Sequence, residues 1–344
     1  MFDSIRFQQL HTHQPSSLSS APPLINLLQL PTSSTSYGPQ SSSHLLRFFS
    51  FLKAAFCIEK GSTTTQTLTQ EAILKDLDRH LPFRQLAPSK KIILADPNGP
   101  FSPTRMKTRE GFFDALIFRL ITQGSPFLLE EKQLFFGSPT QFHNAVKGKN
   151  QQHFCNPRAT GQHSRLRNIS YIDTYWKHSE DWEAYAKRED ITLDILLTWF
   201  TSTTQSKTSR FFGMGKLVGW LLASDYAYAG LVAPPDASRA GELIFQMDAG
   251  GKGGLELVGF DVSTEEACAE AMSSLWLKVQ ELFSAMEIQQ MGLEPITLEH
   301  ALCKFRRLYK SYISKVRLTL VLQKLQSDVS VINQDGTLEY FYFM

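Results

Sequence analysis

An aspartate on an apolar helix face is the first place in this sequence where chemistry could sit. In GKLVGWLLASDYAYAG a helical wheel sets Asp225 among Val218, Leu221 and Leu222, so its side chain points into the fold. A buried carboxylate is costly unless it is paired or hydrogen-bonded, and such groups concentrate at functional sites. Two readings follow: a working acid or base, or a carboxylate that caps a neighbouring helix or neutralises a buried arginine. A second concentration of polar residues lies in ITLEHALCKFRRLYKSYISKVR, 296–317. Leu298, Leu302, Phe305, Tyr309 and Tyr312 form the core face of that helix. Glu299, Cys303 and Arg306 run beside it at i, i+4 and i+7, and His300 shares the next strip with Arg307. Arg306, Arg307, Lys310, Lys315 and Arg317 make it the most basic helix of the chain, either a solvated face or a patch for a nucleic-acid backbone.

Glycines mark two further segments. In FFGMGKLVGW, Gly213-Met214-Gly215 separates one helix from the next, the layout of a helix-hairpin-helix. Glycine tolerates positive φ, and the free N–H groups of the following helix, with Lys216 beside them, suit a phosphate. A plain tight turn between helices explains the same residues. MDAGGKGGLELVGF, 247–260, reads as a glycine-rich loop in which Gly251, Lys252 and Gly253 either face a phosphate or merely connect helices. It is not a P-loop, because GxxxxGK[ST] is absent and no strand precedes it. HFCNPRATGQH offers His153, Cys155 and His163, but a zinc ion would lack a fourth ligand at familiar spacing, so no metal site is expected.

Helices must carry these groups. From Thr104 to Arg317 apolar residues recur with helical period: REGFFDALIFRLI places Phe112, Phe113, Leu116, Leu120 and Ile121 on one face, and ITLDILLTWF, DASRAGELIFQM and a helix behind a Ser263-x-x-Glu266 capping box follow. Asp236 is a fitting N-cap. The fold class is all-α, with at least six helices in 104–317 and no sheet there. Residues 1–43 read as a disordered Ser/Pro-rich leader, 44–103 as short helices and linker, and 318–344 as a tail in which Asp335-Gly336 signals a β-hairpin. Lys and Arg number 35 against 33 Asp and Glu, so the molecule is no polycation and any nucleic-acid site must be a local patch. Four widely spaced cysteines point to a reducing compartment, nuclear or cytoplasmic. The longest apolar run, 45–58, carries Arg47 and Lys53 and is too short to cross a membrane.

Three of these segments, in order, resemble one family: the α-glutamyl/putrescinyl thymine pyrophosphorylases and the helical domain attached to 5-hydroxymethyluracil DNA kinases. The resemblance rests on Gly213-Met214-Gly215 through Asp225-Tyr226, on Ala249 to Leu255, and most specifically on Leu298-Glu299-His300-Ala301-Leu302-Cys303-Lys304-Phe305. It covers residues 104–317. It implies a DNA-glycosylase-like fold and a reaction on modified thymine-type bases in DNA, in which an amine replaces a pyrophosphate on the exocyclic methylene. No cofactor is implied. The partners implied are DNA, an amine co-substrate and a separate base kinase or dioxygenase, since this chain has no kinase P-loop. One departure stands out: Lys304 and Arg306 occupy positions where the family pattern is acidic.

The resemblance assigns Asp225, Glu299 and His300 to catalysis. The glycine segments and the basic helix face described above put Gly213, Gly215, Lys216, Gly251, Lys252, Gly253, Arg306, Arg307 and Lys310 at DNA or phosphate. Asp225 or Glu299 would deprotonate the amine, and Lys216, Lys252 or Arg306 would stabilise the leaving pyrophosphate. Asp225 and Glu299 are therefore expected on facing helices lining one cavity. The competing readings are a DNA-binding relative that has lost catalysis, a base-excising glycosylase, and a helical protein-interaction module.

Overall fold

The computed structural model describes residues 39–61, 67–130, 133–155, 168–203 and 209–311. The expectations for the leader up to residue 38, for the tail 318–344, and for His163, Tyr312, Lys315 and Arg317 lie outside the described residues.

Every regular element among the described residues is helical, apart from a lone antiparallel bridge between Thr203 and Ser209. The early helices are α1 (Pro39–Glu59), α2 (Leu68–Leu74), α3 (Leu77–His80) and α4 (Pro88–Ala95), with a 3-10 turn at Arg84–Leu86. Next come α5 (Arg109–Ile117), which passes directly into a π turn at Phe118–Thr122, then α6 (Pro126–Glu130), α7 (Pro139–Ala145), α8 (Ile172–His178) and α9 (Trp182–Ala186). The last are α10 (Leu193–Thr201), α11 (Lys216–Tyr228), α12 (Ala237–Met247), α13 (Gly250–Leu257), α14 (Glu265–Leu282), α15 (Ala285–Met291) and α16, described over 295–311.

Side-chain caps set many of the starts. Thr67 and Ser284 form capping boxes with Gln70 and Glu287, while Thr108, Thr192 and Asp236 each accept the N–H three residues on. The expected box at Ser263 and Glu266 is not the one that forms. Thr264 is extended and accepts from Ala267 N, so α14 starts one residue later.

The apolar side chains separate into two clusters. One joins α5, the π turn and α8 to α11, with Phe112 stacked on Trp182 at 4.3 Å between ring centroids. The other joins α1 to α12, α14 and α16, where Phe48 and Phe51 meet Phe305 at 5.4 and 5.7 Å. Residues 44–103 thus build both clusters: Phe48, Phe51 and Phe83 belong to the second, Ile93 and Phe101 to the first.

Two expected loops take another form. The glycine-rich segment is not a loop but the helix α13. Its glycines are there for proximity: a Cβ on Gly251 would lie 2.9 Å from the Glu299 side chain, and one on Gly254 would lie 2.7 Å from the Leu302 carbonyl. Glycine's poor helix propensity, about 1 kcal/mol per residue, is overridden because only a glycine face lets α13 come this close to α16. The connection between α10 and α11 runs from 202 to 215 rather than through a tight turn at Gly213, although Gly213 does take a positive φ of 83°. α10 stops at Thr201, well before the glycines.

Gly254→Ala is expected to lower the unfolding free energy by about 1–3 kcal/mol, because the new methyl meets backbone that cannot move aside. Gly137→Ala, whose Cβ would meet only the Gln141 side chain at 3.5 Å, is expected to stay within about 0.5 kcal/mol. Denaturant titration of the two variants separates close packing from flexibility as the reason for glycine in α13.

Candidate functional site

Asp225 lies on the third turn of α11, wholly buried, and it is fully occupied. Its Oδ1 is 2.9 Å from Lys90 Nζ and 3.1 Å from Arg84 Nη2, and its Oδ2 accepts from Arg119. The cations come from three elements distant in sequence: the 3-10 turn before α4, the first turn of α4 and the π turn after α5. Each is itself buried, at 5%, 4% and 2% side-chain exposure. Arg84 also donates to the Leu221 carbonyl, and Lys90 stands 3.8 Å over the Phe101 ring. Burial alone would push the Asp225 carboxyl up, but Arg119, Lys90 and Arg84 outweigh it and hold the group well below the usual carboxylate range. Burial pulls Lys90 down to about 7 and Arg119 down to about 10, against the attraction of Asp225. A carboxylate this strongly stabilised as an anion is a poor proton acceptor.

Glu299 is in the opposite condition. It lies on the first turns of α16, buried, where its Oε2 accepts from Trp220 Nε1 of α11 at 3.3 Å. Burial raises its carboxyl above the ordinary value, with the Trp220 hydrogen bond only partly offsetting this. One turn on, burial raises the Cys303 thiol too, so it stays protonated. His300 is pushed well below its usual value by burial and by Lys304, Arg84 and Arg119, and is a neutral imidazole. Lys304 is buried at 1% exposure, donates to the Asp78 carbonyl and is held down at about 7 by burial and by Arg307.

Two openings flank these groups. The larger, of about 300 Å³, is lined by Glu299, His300, Cys303 and Gly250, with Arg306, Arg307 and Lys310 on its walls. The smaller, of about 30 Å³, is lined by Arg84, Lys90, Arg119, His300 and Lys304 among others. Leu221 and His300 border both.

Helices α11 and α16 therefore do face each other, through Trp220 to Glu299 and through Tyr228 to Thr297 at 2.7 Å. Glu299, His300, Arg306, Arg307 and Lys310 converge on one cleft as the spacing in α16 suggests. Asp225 lies behind its three cations and lines neither opening. Gly251 and Gly253 serve the approach to α16, against Glu299 and Arg306. Lys252 turns away, 3.1 Å from Asp248 and 4.3 Å over the Phe245 ring. Gly213, Gly215 and Lys216 stand at the start of α11, where Lys216 Nζ reaches the Gln246 carbonyl at 3.4 Å, and none of the three lines the cleft.

The chain matches no protein-family profile, no curated protein and no solved structure.

Sequence reading missed Arg84, Lys90 and Trp220, and took Lys304 only as a departure. Arg119 carried a signal: it sits at i+3 from Leu116 and i+7 from Phe112, a cation on an apolar face that matches the anion on the apolar face of α11. His153 has Glu130 at 3.5 Å, and among the described residues no group of three or more His, Cys, Asp or Glu is placed to hold a metal ion. No helix among them is long and apolar enough to cross a membrane.

The two buried lysines have a thermodynamic signature. In the unfolded chain a lysine keeps its proton to about pH 10.4, whereas in the fold Lys90 and Lys304 release theirs at about 7. Between those values the unfolded state binds more protons, so stability rises with pH, by up to about 1.4 kcal/mol per unit for each lysine. Unfolding free energies measured between about pH 8 and about pH 9.5 should increase, and the slope should shrink in Lys304→Met. The raised Cys268, Cys303 and Asp114 act with the opposite sign, so the decisive comparison is between the two proteins, and an unchanged slope in Lys304→Met would contradict the lowered proton affinity of that lysine. Asp225→Asn, by contrast, removes an anion that touches three buried cations and is expected to destabilise the fold by about 3–5 kcal/mol in denaturant titration.

Proposed function

We propose that this protein binds DNA and acts on a hydroxymethyluracil-derived base, replacing a pyrophosphate on its exocyclic methylene by an amine. The observation that carries the reading is the convergence of Glu299, His300 and Gly250 on one cleft walled by Arg306, Arg307 and Lys310. Glu299, His300 and Gly250 lie in two of the segments through which the sequence resembles the thymine pyrophosphorylase and hydroxymethyluracil kinase families. The all-helical architecture is compatible with a DNA-glycosylase-like fold, in which the target base leaves the stack to reach its pocket. A cleft of about 300 Å³ falls at the small end of ligand pockets, roughly 300–1,000 Å³.

In this reading the base role falls to Glu299. Its carboxyl, raised by burial, is a better proton acceptor than an ordinary carboxylate, while Asp225 is locked as an anion by its ion pairs. The amine nitrogen forms a bond to the methylene carbon. The carbon–oxygen bond to pyrophosphate breaks with its electron pair, and the proton shed by the amine passes to Glu299. Arg306 and Arg307 supply positive charge for the departing group and, with Lys310, for the DNA backbone. His300, neutral, offers a hydrogen bond rather than a charge.

A second reading has one observation in its favour. Asp225 is held in a structural role, and Lys304 and Arg306 replace acids of the family pattern. A non-catalytic DNA-binding relative would look the same.

The two separate in one assay. Duplex DNA bearing pyrophosphorylated hydroxymethyluracil is incubated with wild type and an amine such as putrescine, and nucleosides are analysed by mass spectrometry. The enzyme reading expects aminated base from the wild type. It expects a loss of at least about 100-fold in Glu299→Gln, the low end of what a general base contributes, with DNA affinity within a few-fold. Silence of the wild type with every amine tried, alongside DNA binding that weakens steeply with salt, gives the second reading. Reversing the charges of Arg306, Arg307 and Lys310 together should flatten the salt dependence in either case, the logarithmic slope falling by about one for each phosphate no longer neutralised. An unchanged slope removes α16 from the interface.

A further inference from the structure

The small cavity beside the Asp225 cluster is rich in basic side chains. Arg84, Lys90, Arg119 and Lys304 all line it. The carboxyl groups nearby are Asp225, shared among three of them, Asp78, whose two carboxylate oxygens accept from Ser89 N and Ser89 Oγ at 3.0 and 2.8 Å, Asp76, whose charge acts on Lys304, and Glu299, which Arg84 and Lys304 act on. Arg84 is buried to 5% exposure, and its Nη1 has no hydrogen-bond partner although Nη2 has two. A buried guanidinium nitrogen without an acceptor is unfavourable, and it points to a ligand that brings acceptor oxygens.

We infer that this cavity is a binding site for the oxygens of a phosphoryl group, carried by a ligand whose remaining part lies in the neighbouring cleft. The volume supports entry by the tip of a ligand. A space of about 30 Å³ exceeds the roughly 10–15 Å³ that one water requires, yet it is too small for a nucleotide. Leu221 and His300 border both openings, so a group seated in the larger cleft can direct its oxygens past them. Arginine and lysine recognise the charged oxygens by short, charge-assisted hydrogen bonds. Lys90 and Lys304, held down at about 7 by burial, would regain full charge beside a dianion. The site stands on this cavity alone and does not depend on the DNA reading above.

Calorimetric titration of the full chain tests it, with inorganic pyrophosphate, thymidine 5′-monophosphate and thymidine as probes. Both phosphorylated probes are expected to bind and thymidine to bind far more weakly. Pyrophosphate binding tighter than the nucleotide identifies a free anion as the source, and the reverse identifies a phosphate carried on an organic group. Arg84→Gln should weaken pyrophosphate by about 30-fold or more, the loss typical of a truncated buried charge partner. The double variant Arg306→Gln/Lys310→Gln on the wall of the larger cleft should weaken it by less than Arg84→Gln does, since those two side chains are more exposed than Arg84. Should Arg84→Gln fail to fold, salt makes the same distinction on the wild type. Raising ionic strength from about 0.1 to about 0.5 M screens an exposed site strongly and a buried one weakly, so affinity should fall by less than about three-fold. The site is overturned if neither phosphorylated probe binds, if the double variant abolishes binding while Arg84→Gln retains it, or if salt abolishes it. DNA turnover that fails while pyrophosphate still binds through Arg84 overturns the proposed reaction and leaves this site intact.

Discussion

One carboxylate among three buried cations makes the rest of this fold workable. The two apolar clusters meet along a boundary formed by α11 on one side and by α16 and the 3-10 turn at Arg84–Leu86 on the other. Polar contacts cross that boundary: Trp220 to Glu299, Tyr228 to Thr297, and Arg84 to Asp225 and the Leu221 carbonyl. Such a layer contributes less stability than apolar packing of equal volume, because desolvating ions costs several kcal/mol each. What it provides is register. The charges fit only when α11, α4 and the π turn hold one relative position, so the groups facing the openings are fixed together.

A second constraint acts from the opposite side. α13 approaches α16 through Gly250, Gly251, Gly253 and Gly254, against Cys303, Glu299, Arg306 and Leu302 in turn. α16 is thereby clamped between a charged layer and a glycine face. Its polar strip, from Glu299 to Lys310, is left to line a cleft instead of being covered by a bulkier neighbour. The raised carboxyl of Glu299 is a consequence of this confinement, since burial between two close helices is its main cause.

Much of the positioning was legible in the residues. Helical period located α5, α10, α11, α12, α14 and α16, and the wheel of α11 correctly put Asp225 inside. The i, i+4, i+7 flank of α16 predicted that Glu299, Cys303 and Arg306 would share a surface, and they do. The failures are those of local reasoning. Glycine at 250–254 reads as a loop because its preference is for irregular backbone, and the reason it is helical here lies some fifty residues away in α16. The glycines at 213 and 215 suggest a tight turn, but α10 ends long before them. The partners of Asp225 come from positions 84, 90 and 119, and no spacing rule joins them to 225. Nothing local could say that an inward aspartate would be spent on ion pairs rather than left for proton transfer.

The π turn that follows α5 makes the ionic layer depend on a residue count. A π turn is an α-helix carrying one residue more than its regular turn requires. Arg119 reaches Asp225 from within this widened segment. Loss of a single residue between Ile117 and Arg119 would let the segment relax into regular α-helix with better backbone hydrogen bonds. It would also rotate Arg119 by roughly 100° about the helix axis, away from its anion. A deletion that improves local geometry would therefore break the global arrangement. Among homologous chains, the length of this segment would be a sharper mark of the charge cluster than the identity of any residue within it.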